Sequence, residues 1–115
     1  DKLELGNMDS SRDWGHSYDY VRAMHLLLNY SEARDWIVAT GETRTVRELC
    51  DYVFTSLDLN YRDYVIQNEK YIRPEELKYL RGDSEDIRNK LGWKPTYTFE
   101  SMIDQMIEKW MVELS

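Results

Sequence analysis

The chain has 115 residues, room for one small domain, and its 42% hydrophobic and 32% charged residues are an ordinary globular balance. A net charge of −7, with acidic and basic residues interspersed, argues against a nonspecific grip on nucleic acid, which needs clustered Lys and Arg. Cys50 is the sole cysteine, which excludes an intramolecular disulfide and fits a reducing, cytoplasmic setting, and no apolar run approaches the ~20 residues of a membrane-spanning helix.

Asp1-Lys2-Leu3-Glu4-Leu5 is neither a signal peptide nor an initiation site, and the chain reads as one entered partway. Leu3-Glu4-Leu5 alternates like the end of a strand. Gly6 to Gly15 reads as a polar loop, and Ser17 to Asn29 as a helix with Tyr20, Val21, Met24, Leu27 and Leu28 on one face. Trp36-Ile37-Val38-Ala39 is a short apolar run ended by Thr40-Gly41, the pattern of a buried strand. Thr45-x-x-Glu48 is a capping box, opening a helix whose inner face is Val46, Leu49, Val53, Phe54 and Leu57. Arg44 and Arg47 fall on its solvated side, and Cys50 has the place of a structural cysteine.

Tyr61 to Asn68 alternates loosely, as an edge segment does. Pro74 keeps Ile72-Arg73 extended or turning. Asp83 is the expected N-cap of a short helix with Ile87 and Leu91 inward, which Gly92 ends and Pro95 keeps from resuming. A last helix starts near Thr98 with the stripe Phe99, Met102, Ile103, Met106, Ile107 and Trp110. This stripe reads first as core and second as a partner interface. The fold class is therefore α/β and helix-rich, with strands too few for a complete doubly wound sheet.

Several chemistries are missing. The five glycines are scattered, so no Gly-rich turn cradles a pyrophosphate. No lysine lies four residues after a tyrosine, two histidines and one cysteine make a poor zinc set, and there is no Gly-x-Ser-x-Gly elbow. His16, just before a helix, suits capping or packing, and His25 suits surface or packing. Trp14 suits packing beneath its loop more than stacking on a base, and Trp93 a structural anchor.

Two segments pair arginine with a constrained backbone: Ser11-Arg12-Asp13-Trp14 and Tyr71-Ile72-Arg73-Pro74-Glu75-Glu76. Asp13 could cap the following helix or hold the Arg12 guanidinium. Two guanidiniums can clamp a diphosphate through paired charge-assisted hydrogen bonds, and a carboxylate such as Glu76 can accept from the hydroxyls of a ribose. Such segments also occur as plain salt-bridged surface, and the residues alone leave both readings open.

The stretch Leu5-Gly6-Asn7-Met8-Asp9-Ser10-Ser11-Arg12-Asp13-Trp14-Gly15-His16, continued by Asp19 to Met24, resembles a segment of the GDP-mannose 4,6-dehydratases. Ala39 to Glu48, Tyr71 to Glu76 and Leu80-Arg81-Gly82-Asp83 are similar to later segments of that family. Leu91-Gly92-Trp93-Lys94-Pro95 is shared more widely among extended short-chain dehydrogenases. The resemblance runs essentially end to end. It implies that residues 1–115 are a C-terminal substrate-binding domain of an extended short-chain dehydrogenase/reductase, lacking the Rossmann cofactor domain. It implies conversion of GDP-mannose to GDP-4-keto-6-deoxymannose, toward GDP-fucose, by a cytoplasmic lyase whose NADP and catalytic residues lie in other parts of the enzyme. By the same resemblance, Arg12 and Arg73 would hold the diphosphate and Glu76 the ribose, with the Leu5 to Asp9 loop near the nucleotide. This chain would itself bind no cofactor and no metal. Its expected partners are GDP-mannose or GDP, the cofactor domain and possible homodimer mates, with no nucleic acid and no membrane. The competing readings are another nucleotide-sugar enzyme of the same fold, an epimerase or reductase, and a free-standing nucleotide-sugar or partner-binding module.

Overall fold

The computed structural model describes residues 2–73 and 80–115. The chain divides into two compact units, residues 1–12 with 43–80, and residues 13–42 with 81–115. Strands β1 (Leu3–Leu5), β2 (Ser11–Asp13), β3 (Thr43–Thr45) and β4 (Val65–Gln67) and helices α1 (Ser17–Leu28), α2 (Val46–Ser56), α3 (Glu85–Leu91) and α4 (Phe99–Leu114) follow the order β1-β2-α1-β3-α2-β4-α3-α4. The α/β, helix-rich expectation holds, with every strand only three residues long.

In the first unit β1 and β4 pair in parallel, Leu3 opposite Val65 and Leu5 opposite Gln67. The loose alternation of Tyr61 to Asn68 thus resolves into a 3-10 turn, Tyr61–Asp63, followed by a true strand. β2 pairs with β3 inside what the sequence presents as an unbroken polar loop. Its residues are polar because the strand is half-buried on both faces, so no apolar alternation marks it. Helix α2 starts where the capping box puts it: Thr45 Oγ1 accepts from Glu48 N–H at 3.0 Å, and Glu48 Oε1 accepts from Thr45 N–H at 3.0 Å. The core of the unit is Met8, Cys50, Tyr61 and Val65, with Leu5, Val46 and Phe54 packed against it. Cys50 is buried there as a packing residue, and burial pushes its thiol pKa up.

The second unit is built around Ala23, Ile87 and Trp93, with Leu26, Trp36, Val38 and Leu91 packed on them. α1 spans the expected residues, but the side it turns inward differs. Asp19 and Ala23 are buried, whereas Val21, Met24 and Leu28 are exposed. The sequence misleads here because α1 is apolar almost all round, so periodicity cannot choose a side. Trp36–Ala39 forms no strand among the described residues. Its backbone serves side chains instead, the Ala39 carbonyl accepting from Ser84 Oγ at 2.8 Å. Ser84, one residue beyond the expected Asp83, is the N-cap of α3, although Asp83 Oδ1 still accepts from Glu85 N–H at 3.0 Å. Gly92 ends α3 in the left-handed conformation at φ 67°, the geometry glycine adopts without a steric cost. Along α4, Phe99, Met102 and Ile103 are buried, while Met106 and Trp110 of the same stripe are exposed.

Candidate functional site

The loop from Gly6 to Ser10 is held from several sides within the first unit. The Met8 N–H donates to Gln67 Oε1 at 3.2 Å, and the Met8 carbonyl accepts from Arg47 N–H at 2.7 Å. The Ser10 carbonyl accepts from Val46 N–H at 3.2 Å, and Asn7 Oδ1 accepts from Asp9 N–H at 2.9 Å. Arg47 is therefore more than a solvated residue. Its Nε reaches Asp9 Oδ1 at 3.0 Å, and that hydrogen bond holds the Asp9 carboxyl below the usual range. The loop arrives at Arg12 already ordered, and Arg12 lies half-buried on β2 with Nη1 donating to the Ser11 carbonyl at 2.8 Å.

The segment that carries Arg73 is fastened to the same loop at two points. At Gly6 a Cβ atom would lie 2.5 Å from the Tyr71 carbonyl oxygen, so only glycine allows the backbones to come this close. On the far side, Leu80 N–H donates to the Ser11 carbonyl at 3.0 Å. Ile72, the cap of the 3-10 turn Glu69–Tyr71, has an extended backbone at φ −83° and ψ 124° that leads the chain out of the turn toward Arg73. Arg73 itself is exposed. The two arginine segments, distant in sequence, thus share one unit and meet through backbone at two points. Glu76, the expected ribose ligand, lies outside the described residues, as does Pro74.

Asp13 takes neither expected role. Its carboxylate accepts from Thr40 Oγ1 at 2.6 Å, Thr40 N–H at 3.0 Å and Gly41 N–H at 2.8 Å, within the second unit. It ties down the Thr40-Gly41 turn beside an open hollow of about 380 Å³ lined by Thr40, Gly41, Arg81, Ser84, Arg88 and Asn89 among others. Arg88 is already committed there, donating to the Thr40 carbonyl at 2.7 Å and Ser84 Oγ at 2.9 Å. The lining includes neither Arg12 nor Arg73. Ser84 is likewise committed, its Oγ donating to the Ala39 carbonyl at 2.8 Å.

His16 and Trp93 have structural roles. His16 is the N-cap of α1, its Nδ1 accepting from Tyr18 N–H at 3.0 Å, and it stacks on Tyr97 with ring centroids 4.0 Å apart. His25 is exposed. Trp93 is 1% exposed and donates from Nε1 to the Asp19 carbonyl at 2.9 Å. Sequence reasoning overlooked Asp19 itself. Its buried carboxylate accepts from Thr96 Oγ1 at 2.7 Å, Thr96 N–H at 3.0 Å, Tyr97 N–H at 3.1 Å and Arg22 Nη2 at 3.1 Å. Burial pushes its pKa up, the hydrogen bonds pull it down, and the net shift is downward. The available signal was an acid in the first turn of an otherwise apolar helix, with Arg22 three residues on. No helix among the described residues is long and apolar enough to cross a membrane.

The chain's structural neighbours are extended short-chain dehydrogenase/reductase enzymes. The Pseudomonas aeruginosa protein RMD in complex with NADPH superposes with a TM-score of 0.85 at 26% identity, over 97% of this chain and 36% of that one. A Thermotoga maritima UDP-glucose 4-epimerase with UDP-glucose gives a TM-score of 0.86 at 21% identity over 100% of this chain and 36% of that one, a likeness of fold alone. Within that class the chain belongs to the GDP-mannose 4,6 dehydratase family, whose model matches residues 1–106. The Arabidopsis thaliana GDP-mannose 4,6 dehydratase 2 is 44% identical over 94% of this chain and 29% of its own length. The Homo sapiens GDP-mannose 4,6 dehydratase is 35% identical over 91% of this chain and 33% of its own length. The chain spans about a third of the length of these relatives.

Proposed function

We propose that this chain supplies GDP-sugar binding to a cytoplasmic GDP-mannose 4,6-dehydratase that forms GDP-4-keto-6-deoxymannose, and that it is inactive by itself. The observation that carries the reading is the double fastening of the Arg73 segment, through Tyr71 at Gly6 and Leu80 at Ser11, to the loop that presents Arg12. Fixing both segments before ligand arrives lowers the entropy cost of closing two guanidiniums on a diphosphate. Arg12 and Arg73 take the diphosphate, and Glu76 accepts from the ribose hydroxyls. NADP supplies hydride chemistry to the complete enzyme. The five glycines here sit in no strand-turn-helix cradle and do not fit a dinucleotide pyrophosphate.

Calorimetric titration with GDP-mannose and with GDP tests the reading. The expected result is binding at roughly millimolar strength, about 4 kcal/mol, which disappears in Arg73→Ala. Equal binding by the variant would remove Arg73 from the clamp. No binding by the unaltered chain would show that these residues hold ligand only in a larger assembly.

A further inference from the structure

Between Gly6 and Arg12 the chain carries one carboxylate, Asp9, three residues ahead of Arg12. Three residues of chain span at most ~11 Å, close to the ~10 Å over which charges act at 0.1 M salt. An anion held by Arg12 therefore feels Asp9. On a chain whose net charge is already −7, a bare carboxylate in this loop would repel a diphosphate and compete for the Arg12 guanidinium.

That carboxylate is not bare. Arg47, in the first turn of α2, meets it side-on, with Nε 3.0 Å from Oδ1 and Nη2 3.5 Å from Oδ2. The Arg47 backbone N–H also donates to the Met8 carbonyl at 2.7 Å, so one residue grips two consecutive loop positions through different groups. The Tyr61 hydroxyl, in the core of the same unit, supports the guanidinium as a further hydrogen-bond acceptor. Helix α2 gains nothing from this placement, because a cation in the first turn opposes the helix macrodipole. The fold gains little either, since the paired side chains remain 43 and 69% exposed and such pairs contribute weakly to stability. What the pair does change is charge, because together the two side chains are neutral.

We propose that Arg47 is a positioning residue that masks Asp9, so that the Gly6–Arg12 loop meets a diphosphate as a cation. Arg47 touches no ligand itself and acts through Asp9 in two ways. It cancels the charge of the carboxylate, and it holds the carboxylate against α2, where Arg12 is not drawn into an ion pair with it. The inference rests on the reading that Arg12 and Arg73 clamp the diphosphate of a GDP-sugar.

The test is an NMR titration with GDP of the unaltered chain, Arg47→Gln, Asp9→Asn and the double variant, at low and high salt. Arg47→Gln should weaken binding about fivefold at low salt, because an uncovered carboxylate then faces the diphosphate. At about 0.5 M salt, where charges act over only ~4 Å, that penalty should fall below about twofold. Asp9→Asn should bind more tightly than the unaltered chain, and the double variant should return to within about twofold of it. Arg47→Lys keeps the charge without the side-on geometry and should also bind within about twofold. A double variant as weak as Arg47→Gln would overturn the proposal, since Arg47 would then hold the phosphates or the backbone directly. So would a penalty that salt leaves unchanged, or an Arg47→Lys chain as weak as Arg47→Gln. If the isolated chain binds too weakly to titrate, the same sequences in place of the matching segment of the Arabidopsis relative should show the pattern in KM for GDP-mannose rather than in kcat. Arg73→Ala, run alongside, separates the two readings. Loss of binding in Arg73→Ala with the wrong Arg47 pattern defeats the masking and leaves the clamp standing, whereas unaltered binding in Arg73→Ala removes the clamp and the masking with it.

Discussion

Asp19 is where one residue does most for this structure. Its carboxylate gathers Thr96, Tyr97 and Arg22, while its carbonyl receives the indole of Trp93, the largest fully buried side chain. Replacing Asp19 by Ala strands two backbone N–H groups and a hydroxyl, and should cost about 3 kcal/mol of stability in urea unfolding. Because the folded carboxyl titrates below the ordinary value of 3.8, its contribution is fully present above that pH and is lost as pH falls through the folded value. The gap in urea midpoint between the unaltered chain and Asp19→Asn should therefore be wide at neutral pH and shrink below pH 3.8. A gap that stays constant down to pH 2 would show that the charge plays no part. Gly6 makes a contrasting case, since the added Cβ of Gly6→Ala would meet backbone at Tyr71 rather than a movable side chain. That variant should displace the Arg73 segment and weaken GDP binding by about tenfold or more, roughly 1.4 kcal/mol, with the melting temperature changed far less than by Asp19→Ala.

At the scale of elements, what is local was legible and what is long-range was not. The start of α2 is written in Thr45 and Glu48, and the stop of α3 in Gly92, because a cap needs only neighbours in sequence. The prediction that belongs here is Thr45→Ala, which removes one half of the capping box and should cost about 1 kcal/mol. Glu48→Ala should cost less, and the double variant little more than Thr45→Ala alone, as a double-mutant cycle would report. Trp36–Ala39 was misread for the opposite reason. Apolar, β-branched residues state a preference for pairing, but a strand exists only where a partner is present. β2 escaped notice because Ser11-Arg12-Asp13 is polar on both faces, and its pairing with β3 is invisible to any local pattern. The inward side of α1 was chosen by apolarity, when the deciding residue was a buried carboxylate.

For the molecule as a whole, the candidate site was legible mainly through family resemblance. Nothing in the spacing of Arg12 and Arg73 says that they share a unit, and the contacts that unite them are a glycine and a carbonyl. The wider frame also limits how strongly the chain alone can bind. Ordering before binding saves entropy only for the segments already fastened, and about two thirds of the relatives' length lies beyond what this chain matches. The expected dissociation constant is roughly millimolar, and linkage turns it into a measurable shift. At about ten times that concentration, GDP should add roughly 1.4 kcal/mol to folding stability, raising the melting temperature by about 5 °C. The shift should saturate with GDP, follow the same constant as calorimetry, and vanish in both Arg12→Ala and Arg73→Ala. Inorganic phosphate at equal ionic strength should produce less than half of it, because one phosphate engages the clamp from one side only. A shift that phosphate reproduces in full would reduce the site to general anion binding. One that survives the loss of either arginine would move the nucleotide away from the Gly6–Arg12 loop altogether.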